Sequence, residues 1–176
     1  MGYNGSKVGQ SGAKWSENPL KSRHRSQNQR KEEVKMPFVG EYNHSLDAKN
    51  RIFIPAKLRE SLGEAFYITR KMNKTCLAVY SEAEMNLLAE KLNAFPDSEV
   101  AEIKEFLFSK SILVTPDASG RVVILPSMLA YAGIEKNAVI IGAGNHLQIW
   151  SEDAWLAEER SRDMASIRSK LASIGL

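Results

Sequence analysis

From residue 38 onward, apolar residues follow short alternating runs and then wider helical spacings, in a fixed order. Residues 38–46 and 51–54 are short runs rich in β-branched and aromatic residues with a turn between them, so they predict a β-hairpin. A proline then opens a short helix that ends at Gly63. Two further strands are predicted at 66–69 and 76–80. The pattern therefore predicts the α+β class.

The same order of elements occurs again 70 residues later, with strands predicted at 138–141 and 147–150. Aligned residues at this spacing include Asp47 with Asp117, Ala48 with Ala118, Arg51 with Arg121, Ile54 with Ile124, Gly63 with Gly133, Leu77 with Leu147, and Ser81 with Ser151. A repeat of this length indicates duplicated structural units. We predict two tandem pseudo-symmetric units, 36–109 and 110–176.

Longer helices follow the strands of each half. Ser81 and Glu84 have the spacing of a capping box at the start of one helix, a second is predicted at 99–109, and a C-terminal helix continues from Glu152. The three apolar stripes exceed what two small units require. Two interpretations stay open: some of this surface packs between halves or between chains, or each helix covers its own half.

The turn before the second strand of each half has a defined chemistry. It reads DAKNR in the first half and DASGR in the second. The fourth positions, Asn50 and Gly120, are the residue types that best tolerate a positive φ, as a short hairpin turn requires. Asp47 and Asp117 are placed to accept hydrogen bonds from backbone N–H groups two residues on. We therefore expect these four residues to support the turns.

Charge is distributed unevenly along the chain. Residues 1–35 carry eight Lys and Arg against three Glu, a net charge of +5, which leaves −2 for the rest of a chain whose total is +3. The segment is rich in Gly, Ser, Asn and Gln, so it predicts a disordered basic arm. Met36 opens the folded pattern, and an upstream start codon is an alternative origin for the arm. A basic arm strengthens nucleic-acid binding by counterion release, although a solvated tail is the simpler interpretation.

The residues give no support to an enzyme, a metal site or a cofactor site. Cys76 is the single cysteine, and no apolar run approaches the roughly 18 residues of a membrane span, which predicts a cytoplasmic protein. His24, His44 and His146 form no ligand cluster, and His146 stands alone on a turn. GAGN at 142–145 lies between strands, so it predicts a hairpin turn and not a phosphate loop.

The arginine that ends each turn has two interpretations. In the first, Arg51 and Arg121 form local ion pairs that stiffen the turns, worth at most about 1 kcal/mol each if exposed. In the second, each guanidinium is held ready to donate to a phosphate or a guanine edge. Lys49, Lys57 and Arg59 crowd the same end of the first half. The pattern alone favours neither interpretation.

Four strings carry a resemblance to a known family: GEYNHSLDAKNRIFIPAKLRE, LAVYSEAEM, DASGRVVILPSML and AGIEKNAVIIGAGNHLQIWSEDAW. They resemble the MraZ family of bacterial DNA-binding transcriptional regulators over residues 36–160. The resemblance implies two AbrB-like swapped-hairpin β-barrel units with flanking helices, assembled into a ring-shaped homo-oligomer. It also implies binding to direct repeats of double-stranded promoter DNA, at the nucleoid, usually as a repressor of the division and cell-wall gene cluster that includes its own gene.

The resemblance places DNA binding on Asp47, Lys49 and Arg51, and on Asp117 and Arg121. We expect the two arginines, together with Lys49, Lys57 and Arg59, to contact DNA. We expect the aspartates to aim the arginines, because a carboxylate repels phosphate. The alternatives are an AbrB-type antitoxin, which usually has one unit and a partner-binding tail, and a structural ring or adaptor protein without DNA binding.

This chain departs from the family pattern at two places. Asn50 stands where the first motif usually has Gly, and Leu125 and Leu129 replace a proline and an arginine that usually follow the second motif. The second half is therefore less basic. Our hypothesis is that the first-half turn dominates DNA affinity and the second contributes positioning.

Overall fold

The computed structural model describes residues 37–176, and the predicted arm at 1–35 lies outside them. The described residues belong to one compact unit. Its elements are β1 Glu41–Ser45, β2 Arg51–Phe53, α1 Ala56–Leu62, β3 Phe66–Arg70, β4 Leu77–Ser81, α2 Glu82–Asn93, α3 Asp97–Phe108, β5 Ile112–Val114, β6 Arg121–Val123, α4 Pro126–Ala132, β7 Asn137–Gly142, β8 Leu147–Ser151, α5 Glu152–Arg160 and α6 Met164–Ser173.

The strands form two antiparallel sheets. One has six strands in the order β1-β7-β8-β4-β3-β5, and the other is a two-stranded ribbon of β2 and β6. The predicted hairpin of the first two strands is therefore wrong: β1 pairs with β7, and β2 pairs with β6. Alternation of apolar and polar residues fixes which face a strand buries but not its partner. In a duplicated chain, the other half offers an equally suitable edge.

Strand pairing crosses between the halves in a reciprocal way. β1 of the first half lies on β7 of the second, and β5 of the second half lies on β3 of the first. β4 and β8 join the two hairpins β3-β4 and β7-β8 at the centre of the sheet. The two sequence repeats thus share one sheet, and the division at 109/110 remains a prediction from the repeat.

The ribbon and the sheet enclose a common core. Ile52, Ile54, Val122 and Ile124 point inward from the ribbon and are at most 1% exposed. They pack in one cluster with sheet residues such as Ile140. Burying an aliphatic side chain of this size contributes about 1.5–3 kcal/mol. The apolar core therefore fixes which side of the ribbon faces solvent.

Most predicted helices are confirmed, and one is corrected. The predicted C-terminal helix is two helices, because α5 ends before Ser161 and Asp163 starts α6 by accepting a hydrogen bond from the Ala165 N–H at 2.9 Å. The helix predicted at 99–109 begins earlier, at Asp97. No helix among residues 37–176 is long and apolar enough to cross a membrane.

Several apolar side chains on these helices, or just after their C-terminal ends, remain exposed in the single chain. They are Leu87, Phe95, Leu156, Met164, Leu171 and Ile174. Helix α6 buries none of its residues. Part of the apolar stripe therefore does not serve to cover its own half.

His146 was expected to stand alone on a turn, and the structure corrects this. It is 8% exposed and stacks on Tyr80 with ring centroids 5.0 Å apart. Its Nε2 lies 3.1 Å from Lys71 Nζ, and its Nδ1 lies 2.9 Å from Asn145 Oδ1. Burial, together with the Lys71 charge, lowers the pKa of His146 to about 4. The imidazole is therefore neutral in the folded protein at pH 7.

The free energy of unfolding should fall as the pH falls from about 6.5 towards about 4, because the unfolded chain takes up a proton that folded His146 refuses. Between pH 7 and pH 5, the unfolding free energy of His146→Gln should fall by about 1 kcal/mol less than that of the wild type, after allowance for partial solvent screening. Urea denaturation of both proteins at the two pH values measures it. Equal losses in both proteins would contradict the prediction.

Candidate nucleic-acid interface

The two DxxxR turns have the backbone geometry that their sequences predicted. Asn50 has a φ of 56° and is the one non-glycine residue with positive φ among residues 37–176, and Gly120 has a φ of 76°. In each turn the fourth residue donates its N–H to the carbonyl of the aspartate, at 3.0 Å from Asn50 to Asp47 and 2.7 Å from Gly120 to Asp117. The left-handed residue therefore closes each turn so that the following strand returns beside the aspartate.

The aspartates fasten these turns through their side chains. Asp47 Oδ1 accepts from the backbone N–H groups of Lys49 at 2.9 Å and Arg51 at 3.0 Å. Asp117 Oδ1 repeats both bonds in the second turn, each at 2.9 Å. The predicted support of the turns by Asp47, Asp117, Asn50 and Gly120 is thus present in the backbone hydrogen bonds.

These hydrogen bonds also keep the carboxylates charged. The backbone N–H of Arg51, followed by that of Lys49 and by the Arg51 guanidinium, lowers the pKa of Asp47 to about 2. The backbone N–H of Arg121 is the main cause that lowers the pKa of Asp117. Because a carboxylate with a lowered folded pKa stabilises the fold above its unfolded pKa, the contribution of Asp47 is complete at neutral pH. It is lost only as the pH falls from about 4 through about 2.

The ribbon brings the two turns side by side. The Ile54 N–H donates to the Gly120 carbonyl at 2.9 Å, and the Ile124 N–H donates to the Asn50 carbonyl at 2.9 Å. These reciprocal bonds extend the β2–β6 pairing into both turns. Two motifs 70 residues apart in sequence therefore form one surface.

Four charged side chains of the turns join across the halves, and we call Asp47, Arg51, Asp117 and Arg121 the ion quartet. Arg51 Nε donates to Asp47 Oδ2 at 2.8 Å, and Arg51 Nη2 lies 2.8 Å from the same oxygen. Arg51 Nη1 donates to Asp117 Oδ2 at 3.1 Å, and Arg121 Nη1 donates to Asp47 Oδ2 at 3.4 Å. A local pair in each turn was one of the two interpretations, and it is present in the first turn, whereas the Arg121 guanidinium contacts the aspartate of the other half.

The ion quartet leaves donors of both arginines available. A guanidinium has five N–H donors. Arg51 directs three nitrogens at carboxylates, so part of its donor set remains free, and its side chain is 29% exposed. The Arg121 side chain is 40% exposed and makes one long contact. Two positive charges balance two negative ones, so the quartet presents oriented donors and not a net charge.

The other predicted site residues lie in different positions. Lys49 is exposed in the first turn, and Lys57 is exposed on α1. Arg59 is half-buried, and its Nε donates to the Ile54 carbonyl at 3.0 Å. A Cβ placed on Gly120 would lie 2.8 Å from the Arg59 guanidinium. Arg59 therefore connects α1 to the second turn by packing on its glycine.

Sequence reasoning missed two residues of this surface. Arg51, Phe53, Arg121 and Val123 point outward from the ribbon, and we call them the ribbon face. Phe53 is 38% and Val123 50% exposed, whereas Ile52, which lies between Arg51 and Phe53 in the strand, is fully buried. The signal in the sequence was the alternation of RIF and RVV, in which an outward position carries an apolar side chain where a polar one is usual.

Comparison with known families identifies what this arrangement belongs to. The sequence model of the MraZ protein family, described as antitoxin-like, matches the chain twice, over residues 37–104 and 107–172. The chain belongs to the MraZ family. The two matches follow the sequence repeat, and each contains one DxxxR turn of the ion quartet.

Curated relatives agree with this assignment. Transcriptional regulator MraZ of Clostridium acetobutylicum is 39% identical over 142 residues, which cover 79% of this chain and 99% of the relative. Transcriptional regulator MraZ of Dictyoglomus thermophilum is 40% identical over 143 residues, with 78% of this chain and 97% of the relative covered. Both relatives carry the name of a transcriptional regulator, and the MraZ family is not a family of enzymes.

Proposed function

We propose that this chain is a sequence-specific DNA-binding transcriptional regulator that contacts promoter DNA through the ion quartet. The observation that supports the proposal is the union of both DxxxR turns into one exposed surface, on which two arginines are held by two aspartates. Arginine donors fixed in this way match phosphate oxygens or the O6 and N7 acceptors of guanine. An ion pair needed only to stiffen a turn would not require a partner from the other half.

Each residue of the site has a proposed role. Arg51 and Arg121 donate to DNA, and Asp47 and Asp117 orient their guanidinium groups. Lys49 and Lys57 are exposed and contribute phosphate contacts, which position the protein without reading sequence. Arg59 supports the second turn by its contact with Gly120 and reaches the phosphate backbone from the same side.

Affinity in this proposal comes from several chains. Beyond residue 35 the chain has a net charge of −2, so general attraction to DNA is weak and the basic residues act locally. The exposed apolar side chains of α2, α5 and α6 support self-association into a ring-shaped homo-oligomer of swapped-hairpin units. Such a ring presents several ribbons, and weak contacts at each add up by avidity.

The target follows from this geometry. The two turns of one chain are in direct contact, so one chain has one composite site. It therefore cannot reach two separate copies of the DNA repeat, which we call boxes. Direct repeats would then be read by neighbouring chains of the ring. We propose the promoter of the division and cell-wall gene cluster, including the chain's own gene, as the target, with repression at the nucleoid as the outcome.

Binding should require more than one repeat box. We expect DNA from upstream of the chain's own gene with several boxes to bind residues 36–176 at least about tenfold more tightly than DNA with one box, because linked contacts act at high effective concentration. Fluorescence anisotropy at matched salt, with duplexes of equal length and scrambled boxes as the control, measures the ratio. Equal affinity for one box and several would contradict the proposed avidity.

A further inference from the structure

The ribbon face has an apolar component that the ion quartet does not explain. Phe53 and Val123 are exposed, although the strand positions beside them are almost fully buried. The solvent side of a short two-stranded ribbon usually carries polar residues. Two large apolar side chains next to two arginines therefore indicate a contact surface.

The register of the ribbon defines how these side chains are arranged. Arg51 lies opposite Val123, and Phe53 lies opposite Arg121. The Ile54 N–H donates to the Gly120 carbonyl, so Ile54 and Gly120 form a hydrogen-bonded pair of the ribbon. Pairs alternate along an antiparallel ribbon, so the two outward pairs are non-hydrogen-bonded pairs, whose Cα atoms approach to about 4.5 Å. The ribbon face is thus a two-by-two array, with arginines on one diagonal and apolar side chains on the other.

A neighbouring side chain supports Phe53 in its exposed position. The His44 ring on β1 contacts Phe53 edge to face, with centroids 5.5 Å apart and an angle of 66° between the rings. Offset and edge-to-face pairs of this kind are favourable beyond the area they bury. Phe53 is therefore supported on one side by β1 and open on the other.

We propose that Phe53 and Val123 contact the 5-methyl groups of thymines in the major groove, while the arginines of the ribbon face engage neighbouring guanine edges or phosphates. This inference rests on the proposed function. A two-stranded ribbon fits a groove about 12 Å wide, and among the four bases thymine alone presents a methyl group there. The array would thus read a thymine next to a guanine, which arginines alone would not distinguish from other neighbours.

Replacing thymine with deoxyuridine tests this contact, because the exchange removes the methyl group and keeps the base pair. Duplexes from upstream of the chain's own gene would carry deoxyuridine at one thymine of each box in turn. We expect wild-type affinity to fall about fourfold for each contacted thymine, the value of one buried methyl group. Fluorescence anisotropy at fixed salt measures the change.

Two variants connect the effect to the ribbon face. In Phe53→Ala with Val123→Ala, the change from thymine to deoxyuridine should leave affinity unchanged, because the apolar partners are gone. Leu113→Ala is the matched control, since Leu113 is 53% exposed on β5 and lies outside the ribbon. It should keep the full fourfold sensitivity. The wild-type measurement stands by itself if the double variant folds poorly.

The outcomes separate this inference from the proposed function. Wild-type protein that binds DNA through Arg51 but is indifferent to deoxyuridine at every position would overturn the thymine contact and leave the proposed function standing. Absence of DNA binding would overturn both. If the double variant instead loses oligomer mass in light scattering while deoxyuridine has no effect on wild type, the apolar diagonal is a contact between chains, and the inference is wrong.

Discussion

Replacing Arg51 and Arg121 together with alanine is expected to weaken promoter binding at least about 100-fold, because each well-oriented arginine contact with a base contributes on the order of 1–3 kcal/mol. Loss in an oligomer exceeds that of one site, since every ribbon loses its donors at once. The variant also leaves Asp47 and Asp117 charged towards the phosphates, which adds repulsion. Fluorescence anisotropy across a salt series measures both the affinity and its salt dependence.

Lys110→Ala with Arg168→Ala is the matched control for this prediction. Both residues are exposed and outside the turns, and their removal changes the net charge by the same amount. Should the turn variant bind as well as this control, the ion quartet would be a set of structural ion pairs, and the proposed function would lose its site.

The single variants should rank Arg51→Ala above Arg121→Ala in lost affinity. Removing Arg51 takes away the one guanidinium that contacts both carboxylates, so Asp117 is left without an ion-pair partner among residues 37–176. Removing Arg121 leaves that bridge intact. The reverse order would contradict the hypothesis that the first-half turn dominates.

Local structure was predictable because it depends on neighbours in sequence. Asn50 and Gly120 had to adopt a positive φ, and Ser81 caps α2 by accepting from the Glu84 N–H at 3.3 Å, as its spacing predicted. Gly133 ends α4 in the left-handed conformation for the same local reason. Each of these features is decided within about four residues.

Strand partners were not predictable, and the site depends on them. A duplicated sequence gives every strand two nearly equivalent partners, and alternation does not choose between them. The ion quartet exists because β2 pairs with β6, which places Arg51 against Asp117 of the other half. The sequence thus indicated the residues of the two turns but not that both turns form one surface.

The second large effect concerns stability and is expected from Gly142→Ala. A Cβ at Gly142 would lie well inside van der Waals contact with the backbone of Phe38 and Val39, and backbone atoms cannot move aside as a flexible side chain can. The extended segment that leads into β1 would have to leave its place, with loss of the buried Phe38 ring, which is 3% exposed. We expect about 3 kcal/mol or more of lost unfolding free energy in urea denaturation, comparable to truncating a buried Phe.

Gly144→Ala is the matched control for this prediction. Gly144 has a φ of 80° with no atom within 4 Å of a Cβ, so its replacement carries the conformational cost alone, about 1–2 kcal/mol. If Gly142→Ala destabilised no more than Gly144→Ala, Phe38 and Val39 would not be fixed against β7.

This contact also explains where the repeat stops being symmetric. The residue 70 positions before Gly142 is Met72, which lies in a turn and is 48% exposed. The residue 70 positions after Phe38 is Phe108, the last residue of α3. A helix therefore precedes β5, whereas an extension of the chain that contains Phe38 precedes β1. The first turn is therefore anchored to the opposite half by β1 and the extension before it, whereas the second has only the short β5. We expect Gly142→Ala to weaken DNA binding mainly by displacing Asp47 and Arg51 of the first turn. The losses of DNA affinity caused by Arg51→Ala and by Gly142→Ala should then be less than additive in the double variant, because both act on the same turn.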